Sequence, residues 1–320
     1  MRAKFNPANS LAPSFRRRPE SSELNQNAFL SCWIPACAGM TGLRSDGVLG
    51  FKRQRGFTLV EMIMVIVITG IIGGIVAVFI KAPIQGYMDS ARRAELSDIA
   101  DTAIRRMKRD VRTAVPNSVR VTGGTSVEFL PTKDGGRYRT NAGGNNNILT
   151  FGTGGTTLFD IVGTAIPAVI NTDYIVIGSA QSDGVPPYVE TVAGILRKVT
   201  AMSNSNTTIT FASPELPVWA ELPSQRFDVV DGAQQAVTYA CEGVSIVDGN
   251  GTGQLVRYWN YGFTHTPGLT KALLADKVSG CQIDYDVPNQ RYGLLAVRLT
   301  LTSSNESVSL YNEIHVNNAP

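Results

Sequence analysis

Lys52–Lys81 reads KRQRGFTLVEMIMVIVITGIIGGIVAVFIK. Lys52, Arg53 and Arg55 stand before an apolar run from Phe57 to Ile80 that contains one charge, Glu61. As a helix rising about 1.5 Å per residue the run spans about 36 Å, enough to cross the hydrocarbon core of a bilayer. The basic flank predicts the N-terminus in the cytoplasm and everything after the run on the far side of the membrane. Asp89, Glu95 and Asp98 follow the other end. A carboxylate in lipid is costly and ordinarily has a partner, so Glu61 needs an explanation. The start of the run some fifty residues into the chain needs another.

Outward from the run, Pro83 predicts a kink or break. Helical periodicity resumes from Ile84 to Val115: Leu96, Ala100, Ala103, Met107, Val111 and Val115 recur every three or four residues, with Ile99 and Ile104 beside them. Pro116 is expected to end it. The pattern predicts a stalk helix whose apolar stripe faces the body. Its other side carries Arg105, Arg106, Lys108, Arg109 and Arg112, interspersed with Asp101 and Asp110. Such a face is either solvated or pairs with acidic surfaces of neighbouring molecules. Gly70, Gly73 and Gly74 sit in mid-run. They let the helix unwind locally or let another helix approach closely; Gly70 and Gly74 have the Gly-x-x-x-Gly spacing.

Charge is uneven along the 320 residues. Nine basic side chains face three acidic ones before Phe57, against twenty and twenty-three from there on. The remainder is mildly acidic and has no nucleic-acid footprint. Past Val121 the chain is rich in Gly, Asn, Thr and Ser, with short apolar runs. Strands are expected at Ser126–Leu130, Ile148–Phe151, Tyr174–Ile177, Thr207–Phe211, Phe227–Val230, Ala236–Ala240, Leu255–Asn260, Cys281–Tyr285, Leu294–Thr302 and Ser307–Val316. GGTS, NAGGNNN, GTGGTT, SDGVPP and DGNGTG read as turns between them. SSNE (303–306) reads as the four-residue turn of a hairpin, and Thr270–Val278 as a short helix. The expected fold class is α+β: a long N-terminal helix on a mainly antiparallel body, with strands enough for a second sheet.

The body offers little chemistry. His265 lies in a Gly/Thr/Pro loop and His315 in the last expected strand, and neither has metal-ligand spacing. G-x-S-x-G, Walker and C-x-x-C motifs are absent from it. DGNGTG (248–253) opens like a calcium loop, but Trp259 occupies the twelfth position, where a bidentate glutamate would stand. A hairpin turn is the competing reading. Trp219, Tyr258, Trp259, Tyr261 and Phe263 are core aromatics or a sugar-stacking surface. If the body is exported, Cys241 and Cys281 are its one available disulfide pair; otherwise they are buried thiols.

RGFTLVEM (Arg55–Met62), with basic residues before Gly56 and an apolar helix after it, resembles the prepilin class III signal. The resemblance implies cleavage between Gly56 and Phe57 by a prepilin peptidase and N-methylation of Phe57. Glu61 becomes the fifth mature residue, paired during assembly with the N-terminal amine of a neighbouring subunit. RRMKRDVRTAVPNSVRV (Arg105–Val121) and the ending VSLYNEIHVNNAP resemble the MshO group of prepilin-like proteins from mannose-sensitive haemagglutinin (MSHA) pilus biogenesis. PilW-type minor pilins and J-type pseudopilins share this layout, and some pseudopilins bind calcium. The resemblance implies a non-enzymatic pilus subunit with major and minor pilins and the inner-membrane assembly platform as partners. Such a subunit sits in the bacterial inner membrane before reaching the pilus, where a tip position as initiator or cap is one place for it.

The expected organisation is a leader (1–56), a transmembrane helix (57–82), a stalk helix (83–116) and a β-rich globular domain (117–320). SFRRRPESS and CWIPACAGMTG resemble translated intergenic repeats, so residues 1–39, with Cys32 and Cys37, are read as a mis-assigned start. Met40, or a non-ATG start such as Val48, then opens a leader of ordinary length.

Overall fold

The computed structural model describes residues 56–141, 147–167, 170–180, 187–289 and 292–317. The expected leader, with Met40, Val48 and both of its cysteines, lies outside them, as do most of NAGGNNN and SDGVPP. The chain divides into two units, Met1–Met64 and Val65–Pro320.

One helix, α1 (Leu59–Arg112), takes up 54 residues. Pro83 lies inside it, so the expected interruption is absent from the helical assignment. Proline removes one backbone hydrogen bond at a cost of about 3 kcal/mol, and the long helical stretches on both sides outlast that loss. The helix ends before Val115, earlier than its periodicity predicted. Ala114 instead bridges to Pro131, and the Val115 N–H donates to Leu130 O at 2.8 Å.

Fifteen strands follow in the described residues: β1 (Arg120–Thr122), β2 (Ser126–Phe129), β3 (Thr132–Tyr138), β4 (Leu158–Val162), β5 (Tyr174–Ile177), β6 (Leu196–Ser203), β7 (Thr208–Phe211), β8 (Arg226–Val230), β9 (Val237–Glu242), β10 (Ile246–Val247), β11 (Asn250–Gly251), β12 (Gly253–Tyr258), β13 (Lys271–Asn289), β14 (Tyr292–Ser303) and β15 (Glu306–Asn317). Seven form one sheet in the order β1-β2-β9-β12-β13-β14-β15. Six close a barrel in the order β3-β4-β7-β6-β5-β8. All pairings are antiparallel. The fold is therefore α+β, a long N-terminal helix on a mostly antiparallel β body.

β2 and β9 are sheet neighbours, with Phe129 opposite Val237. The whole barrel is thus an insertion between two adjacent strands of the sheet. Each part has its own core. Leu96, Ala100, Ala103, Ile104, Met107 and Val111 of α1 bury against Val127, Tyr239, Leu255, Ile283, Val297, Leu299 and Ile314 of the sheet. Phe159, Ile175, Val199, Ile209, Phe211, Phe227 and Val229 fill the barrel.

Three expectations are corrected. Thr270–Val278 is the start of the strand β13, not a helix. KALLADKV has helical propensity, but pairing with β12 along Lys271–Val278, continued by the β14 ladder from Val278 onward, overrides it. SSNE is not a four-residue turn: Ser303 pairs with Glu306, leaving the two-residue loop Ser304–Asn305. Both loop residues have positive φ (51° and 67°), as a type I′ turn requires. Ile148–Phe151 joins no ladder; Thr150 and Thr156 instead exchange backbone-to-hydroxyl hydrogen bonds that close a local loop.

Candidate functional site

The start of α1 is built from the residues that attracted attention in the sequence. Gly56 and Phe57 are exposed and precede the helix. Thr58 caps it: its Oγ1 accepts from the Glu61 N–H at 3.2 Å, and its carbonyl accepts from Met62 N–H at 3.2 Å. Thr58-x-x-Glu61 has the form of a capping box, so Glu61 stands at the third helical position, in the first turn. A carboxylate there is favoured by the partial positive charge of the helix start. Thr58 was not singled out from the sequence, although the Thr-x-x-Glu spacing was legible there.

From Phe57 to Met88 no residue of the helix is buried, although the segment is almost wholly apolar. Among the described residues α1 is the one helix long and apolar enough to cross a membrane. A Cβ added at Gly70, Gly73 or Gly74 would meet nothing within 4 Å. Nothing among the described residues therefore requires glycine at these positions.

The C-terminal half of α1 is fixed by polar contacts as well as by its stripe. Tyr239 Oη donates to Asp110 Oδ2 at 2.7 Å, and Arg257 Nε donates to the same oxygen at 3.1 Å. Arg257 also donates to Gln234 Oε1 at 2.6 Å. Burial, reinforced by Asp110, pushes the Tyr239 hydroxyl well above its ordinary pKa. On the basic face Arg105 pairs with Asp101 at 2.6 Å, and Arg106, Arg109 and Arg112 are exposed. Lys108 donates to Asn312 Oδ1 at 3.3 Å. Arg93–Glu306 and Lys277–Glu95 tie the helix to β15 and β13.

Cys241 and Cys281 are joined, with an S–S distance of 1.98 Å, linking β9 to β13, the strands on either side of β12 in the sheet. His265 is held in a small polar cluster. Its Nδ1 lies 3.1 Å from Glu128 Oε1 and its Nε2 2.6 Å from Arg120. Arg120 donates to Glu128 at 2.5 Å and stacks over the Tyr188 ring. Burial raises the Glu128 carboxyl, and Arg120 partly offsets this. His315 is an exposed residue of β15. The structure brings the two histidines to no common site.

Asp248 and Gly249 of DGNGTG form the turn between β10 and β11, both with positive φ. Among the described residues no three His, Cys, Asp or Glu side chains gather where they would hold a metal. The aromatics pack inward: Trp259 on the sheet core, Trp219, Tyr261 and Phe263 on the cluster beneath the barrel. A cavity of about 260 Å³ opens where the end of α1 meets the barrel, lined by Arg112, Thr113, Thr132, Ser179, Arg226 and Asp228. Burial lifts the Asp228 carboxyl to about 6, with Arg226 partly opposing.

Gly56–Phe57 and the Thr58 cap thus lead an exposed apolar helix that continues onto an antiparallel body with a disulfide, the arrangement expected of a prepilin-like protein. The model of the prokaryotic N-terminal methylation motif matches residues 51–77 of this chain. The motif implies processing by prepilin peptidase and assembly with other pilins, and together with the apolar helix it fits a membrane-anchored pilin. No curated protein and no solved structure matches the chain.

Proposed function

We propose that the chain is a minor pilin- or pseudopilin-like subunit of a type IV, MSHA-type pilus, cut between Gly56 and Phe57 and methylated at Phe57. Its domains are then a leader (1–56), a transmembrane helix (57–82), a stalk (83–116) and a periplasmic body (117–320). The carrying observation is the apolar first half of α1, left uncovered by the described residues and lying in a match to the methylation motif. In this reading Glu61 pairs with the N-terminal amine of a neighbour. Gly70, Gly73, Gly74 and Pro83 give the helix the pliability that packing demands, and Cys241–Cys281 braces the body.

The barrel inserted between β2 and β9 favours a priming or capping position. It adds bulk on one side that a subunit repeated thousands of times would have to accommodate. A type II secretion pseudopilin shares the same anchor and is the alternative assembly; a glycan-binding tip adhesin is the alternative role for the barrel. Mass spectrometry of the mature protein tests the main reading. The expected N-terminus is methylated Phe57, formed only when prepilin peptidase is present; any other N-terminus defeats it. Glu61→Gln is expected to leave the body folded and to reduce incorporation into filaments.

A further inference from the structure

Most strand edges in this body are closed or blunted. The barrel has none, because its six strands form a ring. At one side of the sheet β1 is three residues long. The other side ends on β15, with twelve residues paired to β14 without a register shift and no described strand on its outer side. Edge strands are usually protected by lysine, proline or a bulge. ESVSLYNEIHVN has no lysine or proline, and its ladder shows no bulge. Twelve regular residues offer a long template for another strand.

The register says which groups are on offer. Ser303 and Glu306 flank a two-residue turn and so form a hydrogen-bonded pair. Alternation then points the N–H and C=O of Glu306, Val308, Leu310, Asn312, Ile314 and Val316 toward β14. Those of Ser307, Ser309, Tyr311, Glu313 and His315 point outward, and these five side chains are exposed.

The helix beside this edge gives it a sign. Arg93 meets Glu306 and Lys108 meets Asn312, so α1 and β15 run in the same direction, with cationic side chains reaching over the strand. Arg93 has its carboxylate. Lys108 has the neutral Asn312 amide and no ion pair among the described residues.

We infer that the outer edge of β15, beside which no described strand lies, receives an extended strand from a different, neighbouring subunit, and that this strand carries a carboxylate opposite Lys108 on its side toward α1. The inference rests on the filament-subunit reading above.

Residue-resolved amide hydrogen exchange tests it on the full chain, in detergent and in sheared, sedimented filaments. In detergent the amides of Ser307, Ser309, Tyr311, Glu313 and His315 should exchange fast and the intervening ones slowly. In filaments the outward set should slow by about tenfold or more. If the chain is present in filaments and these amides stay fast, the docking edge is wrong and the subunit reading stands. If the chain is absent from filaments, both fall. Slow outward exchange in detergent with the chain alone would assign the edge to a second copy and overturn the neighbouring-subunit assignment.

Ser309→Pro removes an outward N–H that the fold itself does not use. It should keep the disulfide and the melting temperature while filament incorporation drops about tenfold or more. Lys108→Glu should lower incorporation several-fold and Lys108→Arg should retain it. Unchanged incorporation of Ser309→Pro, or equal incorporation of the two Lys108 variants, would overturn the inference.

Discussion

The two halves of α1 share one backbone and opposite surroundings. Between Val65 and Met88 the side chains are exposed and, apart from Thr69, Lys81 and Gln85, apolar; between Leu96 and Val111 the apolar ones are buried or half-buried against the sheet. In the second half, polar residues occupy the remaining positions and form a stripe, which one packed face requires. In the first half apolar residues surround the helix, so no single face of the body could cover them. Such a segment requires a nonpolar solvent or other helices on all sides. The difference separates what stabilises the body from what serves assembly, and substitutions should divide the same way.

The largest effect should come from Met107→Asp. Met107 is fully buried between α1 and the sheet, and a carboxylate there has no partner. A loss above about 4 kcal/mol is expected. Ile72→Ala, in the exposed half, should change the body's stability by less than about 0.5 kcal/mol. Denaturant unfolding of the detergent-solubilised chain, followed by tryptophan fluorescence, measures both. Equal effects would mean that the two halves are not distinct.

Next comes the disulfide. Cys241 and Cys281 are separated by 40 residues, and closing a loop of that size restricts the unfolded chain by roughly 4 kcal/mol. Replacing both with alanine should lower unfolding stability by about 2–4 kcal/mol and leave cleavage at Gly56 unchanged. Reduced processing of this variant would show that body and anchor are coupled.

The same division explains what was legible in the sequence. Both halves of α1 were legible as helix, because a long apolar run and a 3.6-residue stripe are each helical signals, whereas the unbroken passage through Pro83 was not. The hairpin β14–β15 was legible from its alternation, while its loop was overcounted by two residues. The barrel was the harder part. β3 reads TKDGGRY, which has turn composition. Its glycines are there for closeness: a Cβ at Gly136 would lie 3.0 Å from Ile166 and 3.1 Å from the Phe227 ring. Such proximity is a tertiary fact with no local pattern. The Glu128–Arg120–His265 cluster was hidden for the same reason, since it joins positions more than a hundred residues apart. The start of the site was the reverse case, because Gly56, Phe57, Thr58 and Glu61 are adjacent in sequence.

A smaller effect, of opposite sign, is expected where the stalk meets the barrel. The Asp228 carboxyl is raised to about 6 by burial. The folded state therefore holds this proton more tightly than the unfolded chain does. Below about pH 3 both states are protonated and burial carries no charge penalty. As pH climbs to 6 the unfolded chain ionises first, and the folded state loses stability. Asp228→Asn does not titrate there. At pH 7 it should stabilise by about 1–3 kcal/mol, with the gain small at pH 4 and vanishing below about pH 3. Stability curves of the two proteins across pH 4–7 check this, and parallel curves would contradict it.

The smallest effect on the folded body, and the most informative about the exposed half, should come from Gly70, Gly73 and Gly74. Each has open space where a Cβ would go, so alanine meets no clash within the chain. Alanine favours helix by about 1 kcal/mol per site, yet these sites lie outside the cooperative core, so the body's unfolding should not move. Filament incorporation responds to a different quantity. If the glycines let the segment unwind or let a neighbouring helix approach, Gly70→Ala/Gly73→Ala/Gly74→Ala should stiffen and thicken it and lower incorporation. If incorporation is unchanged, bulk and stiffness in mid-span are irrelevant to packing. Glu61, at the capped end of the same exposed half, would then be left as the residue in this segment on which assembly turns.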